Sequence, residues 1–209
     1  MPMGTGIRNR LQVDERRAQL LEVGLQLFST VAYDEVQVGD IAKLAGVSKG
    51  LLYHYFGGKK DFYVACVRAA ADILVGAVDP DPDLTPPERV RAGIGAYLTF
   101  VEGRADAYLA LMGGGLGADS RVAEIIDETR YAIVSQMTEG LGLTEPRPVF
   151  RATLRAWIGS VEGVSVDWLR HRDTDREYLL ELLVSSLYTH LVVAVASDPD
   201  AGIVLDPIL

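Results

Sequence analysis

Residues 38–63 gather side chains that can bind a polyanion. The stretch runs VGDIAKLAGVSKGLLYHYFGGKKDFY, and its second half crowds Tyr53, His54 and Tyr55 beside Lys59 and Lys60. Lysines and tyrosines are among the side chains that proteins place against nucleic-acid phosphates, and polar side chains nearby can reach base edges. This combination of residue types indicates a nucleic-acid contact surface.

The distribution of charge fits such a surface at the N-terminal end of the chain. The 209 residues carry a formal net charge of −9, yet residues 1–68 hold nine Lys/Arg against seven Asp/Glu, and the rest hold eleven against twenty-two. An acidic protein with one mildly basic end can dock on a polyanion through that end while its acidic bulk is held away.

The residues of the 38–63 segment are predicted to lie on helices. Apolar side chains recur at three- and four-residue intervals and no strand pattern occurs, so we expect an all-α protein. The spacing predicts four helices in the first part of the chain, at about 14–31, 38–45, 49–55 and 59–78. Gly46 stands where a helix C-terminal stop belongs, and Ser48 is a suitable N-cap for the third helix.

The second and third predicted helices have the layout of a helix-turn-helix, whose second helix enters the major groove of DNA. Lys49, Tyr53 and His54 are then expected to project outward as candidate groove contacts. Gly50 lacks a side chain at the start of the helix and permits close approach. Leu52 and Phe56 are spaced to face the first helix.

The rest of the chain is predicted to be a second, larger helical part. The proline-rich segment at 79–88 indicates a hinge, and Thr85 with Glu88 forms a capping box that starts the next helix. Further helices are expected at about 105–113 and 120–140. A last long helix is predicted to start from a second capping box, Thr174 to Glu177.

The last two predicted helices are long and apolar. Their regularly spaced residues are Phe150, Leu154, Trp157, Val161, Val164 and Trp168 in one, and Leu179, Leu183, Leu187, Leu191 and Val195 in the other. We expect these faces to form a homodimer seam, as a four-helix bundle across a two-fold axis. The alternative is that both helices wrap the core of one protomer.

Residues 14–66 resemble the TetR family of transcriptional regulators. The matching positions are Leu27-Phe28, Asp40-Ile41-Ala42, Ala45-Gly46-Val47-Ser48, Lys49-Gly50, Leu52-Tyr53-His54-Tyr55-Phe56 and Lys59. The resemblance implies a three-helix helix-turn-helix DNA-binding domain over residues 1–60. A helical ligand-binding and dimerisation domain is expected over residues 61–209, with the fourth helix linking the two.

Phosphate contacts follow from the resemblance together with the helix geometry, and the candidates are Gln37, Ser48, Tyr55 and Lys59. For Tyr55 the alternative is a half-buried packing residue, and Lys60 is expected to be solvated. The chain departs from the family where Ala32 replaces a common glycine and where Val36 and Gln37 replace common threonines.

Members of the family typically enclose an apolar cavity, and an occupant of the cavity moves the two DNA-binding domains apart. The candidate lining residues are Tyr97, Phe100, Tyr108, Met112, Tyr131, Met137 and Trp157. Glu162 is expected either to orient a polar group of the ligand or to lie at the dimer edge. The glycine-rich segment 113–117 lacks the spacing of a nucleotide site and is read as a loop near the cavity mouth.

No residue pattern nominates catalysis, a metal or a cofactor. Cys66 is expected to be a buried structural thiol, and His54 has no second ligand at chelating spacing. Without a secretory h-region or an apolar run of about 20 residues, the chain is expected to be cytoplasmic. We therefore predict a ligand-responsive repressor that binds a palindromic operator as a dimer and is released by a small apolar effector. The alternatives are a constitutive DNA-binding protein and an all-helical enzyme.

Overall fold

The computed structural model describes residues 4–79, 81–113, 119–140 and 147–198, and in these ranges all regular secondary structure is α-helical. The helices are α1 (Gly4–Phe28), α2 (Val38–Leu44), α3 (Lys49–Phe56), α4 (Lys59–Ala77), α5 (Pro86–Glu102), α6 (Ala105–Met112), α7 (Ser120–Gly140), α8 (Pro148–His171) and α9 (Arg176–Ser197). The prediction of an all-α fold is confirmed.

The buried residues form two hydrophobic cores. The N-terminal core joins α1 to α4 and contains Leu20, Phe28, Val36, Ile41, Leu52, Phe56, Phe62 and Cys66. Leu52 and Phe56 face α1 as expected, and Cys66 is buried. Since Phe62 and Cys66 lie in α4, this core extends past the boundary predicted at residue 60, which stays a prediction.

The helix-turn-helix is formed by local signals that the sequence shows. The Ser48 hydroxyl accepts a hydrogen bond from Leu51 N–H at 3.1 Å and so caps α3. Gly46 adopts a φ of 64°, which allows Val47 N–H to donate to the Ala42 carbonyl at 2.9 Å and closes α2. A residue with a Cβ atom would be strained in this conformation.

Two helix ends differ from the predictions. The first helix begins at Gly4 and ends at Phe28, whereas 14–31 was predicted. Beyond Phe28, the hydroxyls of Ser29 and Thr30 bond back to the carbonyls of Gln26 and Leu27, and a turn continues as far as Val31, whose N–H donates to the Leu27 carbonyl at 3.0 Å.

Helix α5 begins at the predicted capping box, where Thr85 N–H donates to the Glu88 carboxylate at 2.9 Å. The capping box predicted at Thr174 is wrong. Asp175 is the N-cap of α9 and accepts from Glu177 N–H, while the Thr174 carbonyl accepts from the Trp168 indole N–H at 3.0 Å.

The larger core joins α5 to α9 and corrects the predicted dimer seam. Every residue assigned to that seam in α8 and α9 is buried in this core or packs against it within one protomer. The spacing identified the inner face of each helix correctly, but that face is covered by the chain's own helices.

Helix α9 is apolar on both of its faces. Its composition includes an 18-residue window of mean hydropathy 1.8, which meets the length and hydropathy of a membrane span. Its inner face lies in the core, whereas Tyr178, Leu182, Val192 and Val193 are exposed on the outer side. A helix that is apolar all round normally has both faces covered.

Polar contacts along one side join α4 to α7. Lys60 Nζ lies 2.5 Å from Asp119 Oδ2, and Arg121 Nη1 donates to Asp61 Oδ1 at 2.6 Å. Further along the helix, Arg68 pairs with Glu128. Lys60 is exposed, as expected of a solvated lysine, and it also pairs with the carboxylate of Asp119, the residue before α7.

Candidate nucleic-acid interface and internal cavity

The exposed face of α3 carries the aromatic groups that were predicted to reach DNA. The Tyr53 side chain is 48% exposed although it belongs to a helix packed against the core, and His54 is also exposed. Leu52 and Phe56 of the same helix are buried in the core. A helix that anchors one face and presents flat polar groups on the other can insert into a major groove.

The first turn of α3 is open to solvent. Ser48, Lys49 and Gly50 are all exposed. The Lys49 side chain runs back over α2, because a Cβ atom built on Gly39 would lie 2.9 Å from Lys49 Cε. The ammonium group of Lys49 is thereby held near the start of α2, next to exposed Gln37.

Lys59 is held by Tyr33, a residue that was not predicted to take part in the site. The Lys59 ammonium lies 4.2 Å from the centre of the Tyr33 ring, and Tyr33 packs edge-on against Tyr63 at 5.1 Å. Such cation–π contacts fix the direction of a lysine while leaving its N–H groups free to bind an anion. Tyr33 lies far from Lys59 in sequence, so helical spacing gave no signal for this contact.

Tyr55 is half-buried and packs against the N-terminal core, with His54 at 5.8 Å between ring centres. This is the packing position that was weighed against a phosphate contact, and a half-buried ring leaves room for both roles. The following turn needs Gly57, which has a φ of 76° and lets α4 start two residues later.

A cavity of about 280 Å³ lies inside the molecule, next to α4. Its wall includes Tyr63, Cys66, Ala70 and Leu74, which form one face of that helix and span a rise of about 16 Å along its axis. Leu25, Phe28 and Ser29 of α1 and its following turn also line it. The cavity therefore touches both hydrophobic cores.

Seven of the predicted lining residues bound this cavity: Tyr97, Phe100, Tyr108, Met112, Met137, Trp157 and Glu162. The prediction for Tyr131 is wrong, because its side chain is 71% exposed on the outer face of α7. Its neighbour Arg130 lines the cavity in its place. The glycine-rich segment predicted to lie near the mouth falls at 113–117, of which residues 114–117 lie outside the described residues.

Four polar groups of the cavity form two pairs. The hydroxyls of Tyr97 and Tyr108 lie 2.6 Å apart. Burial raises the pKa of Tyr97 to about 12, and burial followed by the neighbouring Tyr97 raises that of Tyr108 as well. Both phenols are thus neutral over the physiological range.

The second pair is ionic. Arg130 Nε and Nη2 donate to the two carboxylate oxygens of Glu162 at 2.8 and 2.7 Å, and this bonding raises the pKa of Arg130. Glu162 is therefore neither free to orient a ligand unaided nor a residue of the rim. An acid within an apolar helix signals a buried partner, but the sequence did not identify Arg130 as that partner.

Models of known families match both parts of the chain. A model described as "Bacterial regulatory proteins, tetR family" matches residues 20–66, and one described as "Tetracyclin repressor-like, C-terminal domain" matches residues 86–190.

Individual relatives agree with these matches. The HTH-type transcriptional activator FasR of Mycolicibacterium smegmatis is 29% identical over 180 residues, covering 83% of this chain and 81% of FasR. The fold also resembles that of FadR from Bacillus subtilis, solved in complex with stearoyl-CoA, with 20% identity and a TM-score of 0.62 over 83% of this chain and 96% of FadR.

A solved structure covers nearly the whole molecule. It is a tetR-family transcriptional regulator from Streptomyces coelicolor, which shares 33% identity and superposes with a TM-score of 0.82 over 90% of this chain and 86% of the other. With an exposed helix-turn-helix, two matching family models and this superposition, the chain belongs to the TetR family of transcriptional regulators.

Proposed function

We propose that the protein is a ligand-responsive repressor that binds a palindromic operator as a homodimer and leaves it when an apolar effector enters the cavity. The observation that carries the proposal is the composition of the cavity wall. It includes Phe28 of the N-terminal core and Trp157 of the larger core, so an occupant contacts both the DNA-binding helices and the body.

The outer face of α9 supports the homodimer. Tyr178, Leu182, Val192 and Val193 form an exposed apolar stripe along it. On the neighbouring α8, Gly159 and Gly163 are exposed, and neither would bring an added Cβ atom within 4 Å of another group of the same protomer. Small residues beside an apolar stripe let a second pair of helices approach closely, as in a four-helix bundle.

A two-fold dimer would present two α3 helices to two half-sites. Successive major grooves on one side of a duplex are about 34 Å apart, so an occupant that alters this separation lowers duplex affinity. Tyr53, His54, Lys49 and Gly50 would face the groove, and Gln37, Ser48, Tyr55 and Lys59 the phosphates. The regulator would act at the chromosome, in the cytoplasm.

The effector is proposed to be largely apolar because the cavity wall is. The complex of FadR with stearoyl-CoA shows that a protein of this fold can hold an acyl ligand, and the cavity here follows α4 for about 16 Å. The alternative direction of control is activation, which the name of the relative FasR favours.

Selection of bound duplexes from a random pool would test the DNA-binding half of the proposal. We expect a palindromic sequence. Changing Tyr53→Ala should then cost about 1–3 kcal/mol of binding free energy, the range of one base contact. Tyr131→Ala removes an even more exposed tyrosine from α7 and should leave duplex affinity unchanged. Equal affinities of the two variants would contradict the assignment of α3.

Measuring duplex binding in the presence of apolar compounds distinguishes the proposed function from its alternatives. Apolar compounds that release the selected duplex support a ligand-responsive regulator. Constant duplex affinity in the presence of compounds that bind the cavity would favour a constitutive DNA-binding protein. Turnover of a bound compound would favour an enzyme.

A further inference from the structure

Two charged side chains of the cavity wall, Arg130 and Glu162, already satisfy each other. Arg130 meets both oxygens of Glu162 and also donates to Asp127 Oδ1 at 3.0 Å. The side chains of Arg130 and Glu162 are only 25% and 18% exposed. An ionised ligand placed beside this pair would have to break it or be buried without a counter-charge, and both are costly.

The other charged side chains of the wall are those of Asp79, Arg89 and Arg104. Asp79 follows the end of α4 and is exposed, and Arg89 lies in the first turn of α5 beside Gly140 at the end of α7. Arg104 places its guanidinium 4.3 Å from the centre of the Phe100 ring. Among the described residues, the charge of Arg130 is compensated by the carboxylates of Glu162 and Asp127.

The neutral polar groups of the cavity are not satisfied in the same way. Tyr97 and Tyr108 share one hydrogen bond, and the buried Ser165 hydroxyl, whose Oγ atom has no hydrogen-bond partner among the described residues, lies beside Tyr97. Gln136 donates from Nε2 to the Val75 carbonyl at 3.4 Å, whereas its Oε1 atom is buried and has no partner within the described parts of the chain. A buried polar atom without a partner destabilises the protein until a ligand supplies one.

We infer that the cavity selects an uncharged, mainly apolar molecule that carries a hydroxyl or amide-type group, and that it disfavours ionised carboxylates and amines. The inference rests on the proposed function, because it specifies the effector of that same site. A hydroxyl group can donate to Gln136 Oε1 or accept from the tyrosine pair. A carboxylate can offer Gln136 no donor and meets the paired charge of Glu162.

The burial that holds both phenols protonated supports this selection. The side chains of Tyr97 and Tyr108 are 8% and 7% exposed. Since the pKa of each is raised, neither becomes a phenolate that could bind an amine at neutral pH. The tyrosine pair therefore remains a neutral donor and acceptor.

A matched series of amphiphiles would test the inference on the full-length protein. Dodecanol, dodecanamide, dodecanoate, dodecylammonium and dodecane share one chain and differ in their end group. Trp157 lines the cavity, so tryptophan fluorescence reports binding without DNA. We expect dodecanol and dodecanamide to bind more tightly than the two ionised compounds.

Two variants assign the selectivity to residues. Tyr108→Phe and Gln136→Leu should each weaken dodecanol roughly three- to tenfold, the effect of one hydrogen bond, while dodecane binding stays constant. Tyr131→Phe removes a hydroxyl from the outer face of α7 and should change neither. Circular dichroism checks that each variant is folded, and the two substitutions act on different helices, so one remains informative if the other unfolds.

Tighter binding of dodecanoate or dodecylammonium than of dodecanol would overturn the inference. So would dodecanol affinity that is unchanged in both variants, or no binding of the two neutral polar compounds. These outcomes are separate from the proposed function, which fails if the protein binds no selected duplex in the absence of any ligand.

Discussion

Tyr33, which is distant from Lys59 in sequence, restrains the lysine that is proposed to contact phosphate. The Tyr33 ring lies under its ammonium group, and Tyr33 is itself held by Phe28 and Tyr63. A lysine restrained in this way loses less side-chain entropy when it meets a phosphate. Exposure of the lysine alone would not identify this arrangement.

Replacing Tyr33 should therefore weaken DNA binding although Tyr33 need not touch DNA. We expect Tyr33→Leu to lower duplex affinity about two- to fivefold, since an exposed cation–π contact contributes about 0.5–1 kcal/mol. Tyr33→Phe keeps the ring and should bind normally. Lys59→Ala should also reduce the salt slope of binding by about 0.9 for each phosphate that the lysine neutralises.

The double variant of Tyr33→Leu with Lys59→Ala separates positioning from direct contact. If Tyr33 acts through Lys59, the double variant should bind no more weakly than Lys59→Ala alone. Additive losses of affinity would mean that Tyr33 contributes on its own account.

The raised pKa of the Cys66 thiol predicts how the free energy of unfolding changes at alkaline pH. Burial raises the pKa of its thiol from 9.0 to about 12. Between these values the unfolded chain loses the proton and the folded chain keeps it, so the free energy of unfolding should fall as the pH rises through this window. Urea unfolding should show a shallower fall in Cys66→Ala. Because Tyr97 and Tyr108 act in the same direction, some fall should remain, and identical slopes would contradict the assignment.

Among the elements, α1 and α4 make an unusually close contact at Gly24. A Cβ atom at this position would collide with Cys66 Sγ and lie 2.5 Å from Phe62 Cζ. The absence of a side chain at Gly24 thus sets the distance between the first helix and the helix that borders the cavity.

Gly24→Ala should destabilise the protein by about 1–3 kcal/mol, the usual cost of overpacking, despite the better helix propensity of alanine. Gly76→Ala in α4 is the matched control, because an added Cβ atom there has no neighbour within 4 Å. It should stabilise the protein by up to about 1 kcal/mol. Chemical denaturation measures both, and a neutral Gly24→Ala would show that the two helices can separate without cost.

Elements with local start and stop signals were predictable from sequence, because a cap and its partners lie within four residues. Ser48 and the Thr85–Glu88 box are examples. Tertiary choices were not predictable in this way. Tyr131 and Tyr108 are equally suitable cavity residues by type, and only the packing of α7 turns Tyr131 outward. Similarly, the apolar spacing of α9 identified its inner face, but it did not show that this face is covered by helices of the same chain.

At the scale of the whole molecule, the exposed stripe on α9 predicts the oligomeric state. Val193 is 60% exposed within it. In Val193→Glu, the new carboxylate would be buried without a partner in the proposed dimer. We therefore expect this variant to be monomeric and to lose duplex binding. Ile73→Glu adds the same charge at an exposed aliphatic position of α4 and should remain dimeric. Sedimentation or light scattering measures the mass; a dimer of Val193→Glu would exclude this face as the interface.

Helix α4 borders the cavity with one face and, through Lys60, Asp61 and Arg68, holds α7 with another. Its first turn also carries Lys59. If α4 couples ligand binding to operator binding, the two equilibria are linked by thermodynamic reciprocity. A ligand that lowers operator affinity by some factor must then bind the operator-bound protein more weakly than the free protein, by the same factor. Operator DNA would thus act as a competitor of the small molecule although the two never touch.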